Sequence, residues 1–466
     1  MKPFPQSRLS VSRLRGELAG QVLGPGDPGY DEARAVFSRA IDRRPAVIAR
    51  PAGAGDVARV VALAAETGLE LAVRSGGHSP AGHGVSEGGI VLDLSSLKRL
   101  ELDPARRLVW AESGLTAGEV TTAAAEHGLA VGFGDTPTVG IGGLTLGGGV
   151  GYLTRKLGLT IDSLLAAEVV TADGRLVRAD EESHPDLFWA LRGGGGNFGV
   201  VTRFLYRLAP VDEVVGGMLV LPATPETVAG FVAAADAAPD EVSGIANVMP
   251  APPAPFVPEE LRGRPVVLAL LVHAGVGEAA ERALAPFRAL APPVFDGLRP
   301  MPYPSIYPPE QEEAAPLGAL RSLFLDSVDE RVAGELLEWI ETTPAQAAVA
   351  QLRVLGGAVA RVPDEATAFA HRGSRVMANL AAIYGSVDEG PAAEAWVTEF
   401  AAAVRQDDAG VYVNFLADEG EERVRAAYPG RTWDRLAEVK RRYDPSNLFR
   451  LNQNVPPAGK PLEQVA

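Results

Sequence analysis

Cysteine is absent from all 466 residues. Disulfides, thiolate nucleophiles, iron–sulfur clusters and cysteine-based zinc sites are therefore excluded together. The absence agrees with a reducing cytosol, although a secreted protein need not carry disulfides. Lysine is scarce beside arginine, which reads as codon bias and not as a basic binding surface. With 43 basic and 59 acidic side chains the formal charge is −16. A polyanion such as DNA or RNA would be repelled, so no nucleic-acid partner is expected. Long apolar runs are missing too: none reaches the roughly 18 residues of a membrane span. The N-terminal MKPFPQSRLSVSRLRGEL also lacks the apolar region of a signal peptide. The expectation is a soluble, cytoplasmic protein with no membrane partner.

What is present is ordinary for a globular chain of two or three domains, with 47% hydrophobic and 22% charged residues. Residues 43–209 are glycine-rich with short strand-like runs, whereas 211–408 alternate apolar strand-like runs with alanine-rich helices. Residues 410–457 return to a strand, a helix and an irregular tail.

In the first zone DVARVVALAAETG puts Val57, Val60, Val61 and Ala64 on one helical face, with Gly68 as its C-cap. Thr116 and Glu119 form a capping-box pattern ahead of a helix closed by Gly128. AEVVTA and RLVRA, joined by Asp173 and Gly174, predict a hairpin. PDLFWALR predicts a short helix opened by Pro185, and VVTRFLYRL a strand. In the second zone GMLVL, VVLALLV, AAVAQLRVL and VMANLAAIY predict strands, with helices near 225–237, 278–290, 330–341 and 391–404. That order points to an antiparallel sheet with helices on one face, and to an α+β fold overall. The runs APPAPFVPEE and RPMPYPSIYPPEQEE are expected to be irregular, as surface loops or a lid over a pocket.

Three glycine-dense segments stand out: RSGGHSPAGHG (74–84), TPTVGIGGLTLGGGVG (136–151) and RGGGGNFGVV (192–201). One alone would be a tight turn. Three, each beside an expected strand, favour a surface where backbone N–H groups approach a nucleotide. Gly194, Gly196 and Gly199 match G-x-G-x-x-G, but a helix precedes them and a strand follows, the reverse of a Rossmann unit. No Walker A sequence occurs. Gly77-His78-Ser79-Pro80-Ala81 falls one residue short of a serine-hydrolase elbow, and the following PAGHGVSEGG cannot supply the helix that an elbow needs. His78 and His83 are five apart with no helix beneath them, so no metal site is expected.

RSGGHSPAGHG, TVGIGGLTLGGGVGYLTRKLGLTIDSL, VVTADGRLVRA, HPDLFWALRGGGGNFGVVTRF and YDPSNLFRLNQNVPP together resemble the berberine-bridge-enzyme-like oxidases. That family lies in the vanillyl alcohol oxidase / p-cresol methylhydroxylase superfamily. The resemblance covers the first and last zones in order and spacing. It implies a two-part FAD-binding domain of the p-cresol methylhydroxylase type, from residues 1–210 (core about 43–210) and 410–466. A substrate domain, 211–409, lies between them. It also implies that His78 carries the flavin covalently and that Arg74, Ser75, Gly76, Gly77 and Ser79 cradle the pyrophosphate. Thr136, Val139, Gly140, Gly142, Gly143, Gly149 and Val201 would line the dinucleotide, with Asn452 and Asn454 reaching it from the tail.

The sequence departs from the family at three positions. The cysteine that forms a second flavin link in many members is Thr136, so a single link through His78 is expected. The Y-x-N-Y motif reads Tyr412-Val413-Asn414-Phe415, which removes the usual tyrosine base, and the tyrosine completing G-G-G-Y is Val150. On an expected strand, Tyr412 would point away from the face that Phe415 shares. The implied chemistry is hydride transfer from a small organic substrate to flavin, then reoxidation by oxygen to hydrogen peroxide. Val139, beside the reactive flavin edge, favours an oxidase over a dehydrogenase with another acceptor or a non-catalytic flavoprotein. Tyr384 is the expected base, with Asn379, His371, Tyr303 and Tyr307 as the other candidates. A substrate needing no strong base, such as an acidic phenol or an electron-rich natural product, is the alternative. Val150 and Phe415 imply a pocket less polar than that of sugar oxidases.

Overall fold

The computed structural model describes residues 10–308 and 317–459. Its first part holds two sheets. Strands Gln21–Leu23, Val47–Arg50, Ile90–Asp93 and Leu71–Arg74 lie side by side in that order, with the last three parallel. Helix Ala54–Thr67 covers them with Val57, Val60, Val61 and Ala64 wholly buried, and Gly68 ends it at φ +70°. Leu100–Asp103, Leu108–Glu112, Val200–Arg207, Leu164–Val170 and Leu176–Asp180 form a second, antiparallel sheet. The Asp173–Gly174 hairpin is there, with Gly174 at φ +78°. So is the capping box: Thr116 Oγ1 accepts from Glu119 N, and Glu119 accepts from Thr116 N at 2.7 Å.

The middle of the chain forms an eight-stranded sheet. Its main path runs Phe295–Asp296, Glu213–Pro222, Pro265–His273, Val242–Pro250, Ala347–Val354, Val376–Tyr384 and Leu317–Leu325. Helices Pro225–Ala237, Glu278–Arg288, Glu330–Glu341 and Gly390–Ala403 bury their apolar sides against one face. Strand alternation decides what meets them. Ala348, Ala350, Leu352 and Val354 face the helices, as do Ala378, Leu380, Ala382 and Tyr384. The intervening residues, among them Gln351, Arg353 and Asn379, take the opposite face and line a cavity.

Four sequence expectations need correction here. Strands Val242–Pro250 and Leu317–Leu325 were not anticipated, because Gly244, Asn247, Gly318, Arg321 and Ser322 interrupt their apolar runs. Of RPMPYPSIYPPEQEE, Arg299–Pro302 is a strand paired with Glu213–Gly216. Proline is tolerated there because the segment lies at the sheet edge, where a missing N–H leaves no ladder bond unmade. Tyr303–Ile306 follows as a 3₁₀ turn with Tyr303 wholly buried, so this part is an anchor and not a lid. The rest of that run, from 309, is outside the described residues. Finally, the expected strand at the start of the C-terminal zone is a 3₁₀ turn, Val413–Phe415. Two helices follow it, Glu421–Ala427 and Arg431–Tyr443, divided at Pro429 and Gly430, the latter at φ +55°.

The C-terminal segment packs back onto the first part. Val411, Leu416, Tyr428, Leu436 and Val455 share a core with Phe188, Phe198 and Phe204. A wholly buried ion pair fixes the return. Lys440 Nζ donates to Asp444 Oδ2 at 2.7 Å, to Asn197 O at 2.7 Å and to Phe449 O at 2.8 Å. Asp444 in turn accepts the N–H groups of Leu448 and Phe449. This ties the tail to the glycine-rich turn 193–199.

Candidate active site and cofactor cradle

A cavity of about 500 Å³ opens where the glycine-dense segments, the C-terminal tail and the sheet of the middle zone converge. That volume is typical of a small-molecule or cofactor site. Its wall includes His78, Ser75, Gly76, Gly77, Ser79, Thr136, Val139, Gly140, Gly142, Gly143, Val201 and Asn452 from the residues singled out in the sequence. The turns are glycine because their backbones touch. A Cβ on Gly140 would lie 2.2 Å from both Gly76 N and Ser75 Oγ, and one on Gly76 would lie 2.3 Å from Gly140 N. By contrast, a Cβ on Gly143 would meet no protein atom within 4 Å, so that backbone is open to a ligand.

Three cradle residues sit differently from expectation. Arg74 does not offer its guanidinium to a phosphate: it pairs with Asp93 at 2.7 Å and donates to the carbonyls of Ala33 and Ala35. It braces the loop from behind. Gly149 is not in the wall; its N–H donates to Tyr412 OH at 2.9 Å, and a Cβ there would strike Thr160 Oγ1. Asn454 is also outside the wall, with a buried Oδ1 that has no hydrogen-bond partner among the described residues. Asn452 does line the cavity. Its Nδ2 donates to Gly196 O and Phe449 O, while its Oδ1 is buried without a partner.

His78 is held on two sides. Its ring stacks on Phe37 with centroids 4.4 Å apart, and its Nε2 lies 3.3 Å from Thr138 Oγ1. Burial lowers its pKa, which favours the neutral imidazole, the nucleophilic form. His83 lines the same cavity, and burial, with Arg43 adding to it against Asp418, pushes it down to about 4. The unfolded chain therefore binds more protons than the folded one between about 4 and 6.5, and stability falls as pH drops through that window. Urea midpoints at pH 7 and at about pH 4.5 should diverge in the wild type and draw closer in His83→Asn. An equal divergence in both proteins would remove His83 from the account.

The expected base Tyr384 is on the wrong face. It ends strand Val376–Tyr384 in the helix-covered core, its hydroxyl against Gly390. It stands five positions after Asn379, an odd offset, so the two cannot share a face. His371 is engaged with Ala427 O at 3.1 Å between Phe324 and Phe369. Tyr303 is wholly buried, and Tyr307 donates to Gly134 O; neither lines the cavity. Of the five candidates only Asn379 does. Tyr412, set aside on the expectation of a strand, lines it after all. The 3₁₀ turn brings its ring within 5.1 Å of Phe415, edge to face. Its hydroxyl oxygen accepts from Gly149 N and Asn414 Nδ2, while burial raises its pKa and keeps it protonated.

Sequence reasoning missed Phe37, Asp135, Gln351 and Arg353, all in the wall. The signal for the last two was present: polar residues at alternate positions of AVAQLRV, a strand otherwise fully apolar.

These residues fit a dinucleotide. The two touching glycine turns, the open backbone at Gly143 and the partnerless Asn452 Oδ1 form an extended polar cradle beside an apolar chamber. Comparison with known proteins agrees. Residues 45–180 match an FAD binding domain, and 411–456 match the family described as berberine and berberine like. The (R)-6-hydroxynicotine oxidase of Paenarthrobacter nicotinovorans is 33% identical over 95% of this chain and 98% of its own. The xylooligosaccharide oxidase of Thermothelomyces thermophilus is 31% identical over 91% and 89%. Among solved structures, 6-hydroxy-D-nicotine oxidase from Arthrobacter nicotinovorans superposes with a TM-score of 0.84 at 30% identity, over 94% of this chain and 98% of that one. With such identity over nearly the whole of both chains, the protein belongs to the berberine-bridge-enzyme-like family of FAD-linked oxidases.

Proposed function

We propose that this chain is an oxidase of small, predominantly apolar molecules, with FAD held by one covalent bond to His78 and molecular oxygen as electron acceptor. The observation that carries the reading is His78 itself: a neutral imidazole in the cavity wall, clamped between Phe37 and Thr138. Bound FAD supplies the ring that accepts hydride and passes the electrons to oxygen, giving hydrogen peroxide. The chain's own residues bind, orient and exclude water. Phe37 covers one face of the imidazole, and the Gly76–Gly140 contact holds the two turns together. No second link from Thr136 is chemically available, and Thr136 Oγ1 donates instead to Asp135. Val139, small and in the wall, supports access for oxygen.

The wall also bears on the substrate. Val150, Phe415, Leu320 and Leu416 line it, and they support an apolar body over an oligosaccharide. Of the groups able to take a proton among the described residues of the wall, beside His78 itself, Tyr412 is held protonated, Asp135 is paired with Arg353, and His83 is pushed down to about 4. None is a strong base, which supports a substrate that needs none, such as an amine or an electron-rich natural product. The test is an anaerobic panel of amines, alcohols and phenols followed by flavin bleaching. A compound that bleaches the flavin should return its colour on admission of air, with one peroxide formed per turnover. Bleaching that air reverses only slowly and without peroxide would identify a dehydrogenase instead.

A further inference from the structure

The sheet face towards the cavity carries a polar row in an apolar setting. Antiparallel register places Asn247, Gln351, Asn379 and Ser322 directly across four adjacent strands. Gln351 Nε2 donates to Asn247 Oδ1 at 2.9 Å, and Gln351 Oε1 accepts from Arg353 Nε at 3.2 Å and from its Nη2 at 2.7 Å. Arg353 Nη2 also donates to Asp135 Oδ2 at 2.7 Å. The guanidinium is thus locked by two of its three nitrogens, and it lies 5.3 Å over the ring of Phe415. Its Nη1 is buried and has no hydrogen-bond partner among the described residues, although the side chain lines the cavity and is 5% exposed.

An unmade hydrogen bond on a buried cation is costly, and more costly than on a neutral group. Its best partner is an anionic oxygen, which makes a shorter and stronger bond to a guanidinium than a neutral acceptor does. Among the described residues Asp135 is the one acidic residue in the wall, and it is engaged by Nη2. Arg74, the other arginine there, is neutralised by Asp93. We infer that Arg353 is a specificity residue whose free Nη1 receives a carboxylate of the substrate, while Phe415, Leu320 and Val150 hold its apolar body. The substrate class is then an aromatic or similarly apolar molecule bearing a carboxylate. This rests on the reading of the cavity as the flavin and substrate site. Asp135 competes for the same guanidinium, so it weakens the anion's hold.

The opposing roles of the two residues make the test. Benzoate and its neutral isostere benzamide are titrated into the yellow holoprotein, and the visible flavin spectrum is followed. Benzoate should perturb it with a dissociation constant lower than that of benzamide by roughly tenfold or more. Arg353→Met should abolish that preference, and Asp135→Asn should tighten benzoate. Flavin content, read from the absorbance ratio, should stay at the wild-type level in Asp135→Asn, which keeps the test valid if Arg353→Met folds poorly. Equal affinity for the two probes, no response to either, or weaker benzoate binding by Asp135→Asn overturns the inference. So does an Arg353→Met protein with unchanged benzoate preference and a shifted flavin midpoint potential, since the guanidinium would then serve the flavin. A colourless wild-type protein would instead sink the cofactor reading beneath it.

Discussion

His78→Ala protein is expected to lose all its flavin on denaturation while still collecting FAD from solution. Among the described residues the imidazole is the one side-chain nucleophile of the cavity held in place from both sides, by Phe37 at 4.4 Å and by Thr138 Oγ1 at 3.3 Å. Alanine removes the bonding atom but leaves the Gly76–Gly140 contact, the open backbone at Gly143 and Asn452. The cradle should therefore bind FAD reversibly. Under acid the variant's band on a denaturing gel should be dark where the wild type fluoresces. The change is from complete retention to none. His83→Asn is the matched control, because His83 lines the same cavity without the Phe37 clamp; its band should stay fluorescent. Fluorescence retained in His78→Ala would place the attachment elsewhere.

Lys440→Met is expected to destabilise the folded protein by about 3–5 kcal/mol, the usual cost of removing one partner of a buried ion pair. Both charged groups are wholly buried, and the three acceptors of the ammonium belong to three separate stretches: Asn197 O, Phe449 O and the Asp444 carboxylate. Methionine fills the space of the aliphatic stem, but Asp444 loses its cationic partner and Asn197 O loses its donor, while Phe449 O keeps only Asn452 Nδ2. The tail from 448 to 455, which carries Asn452 to the cavity, should loosen with them. The urea midpoint should fall and non-covalent FAD affinity, measured in the His78→Ala background, should fall with it. Adding Asp444→Asn should recover part of the loss, because the uncompensated charge is gone. An unchanged midpoint would show that the pair does not hold the tail.

Lys440 and Asp444 also show where sequence reasoning stops. Four residues apart, in the last turn of helix Arg431–Tyr443 and at its C-cap, they have the spacing of an ordinary surface pair, and only the packed tail makes them a buried staple. The place of His78 in the cavity wall was legible for the opposite reason. The residue sits in a local glycine-dense turn after a short strand, and that pattern survives without knowledge of the fold. The glycine turns, most helices and four of the central strands were legible from caps and periodicity. Strand Val242–Pro250 was not, since Gly244 packs against Phe231 and Leu271 on the helix-covered face while Asn247 joins the polar row on the other, and apolar counting foresees neither. Nor was strand Arg299–Pro302, whose prolines are permitted only by its place at the edge. Tyr384 was an avoidable choice, because alternation alone puts it on the face opposite Asn379. Tyr412 was not avoidable: a strand and a 3₁₀ turn point its ring in different directions, and VYVNF fits either. The role of Arg74 was hidden too, because its partner Asp93 lies on the neighbouring strand.

The account turns on the bond between His78 and the cofactor, and intact-mass analysis of denatured wild-type protein tests it most directly. The chain should be heavier by one FAD. Trypsin should place the added mass on the peptide from Ser75 to Lys98, with fragmentation locating it at His78 and not at His83. A bare polypeptide mass from visibly yellow protein, or a flavin on any other residue, would contradict the central claim.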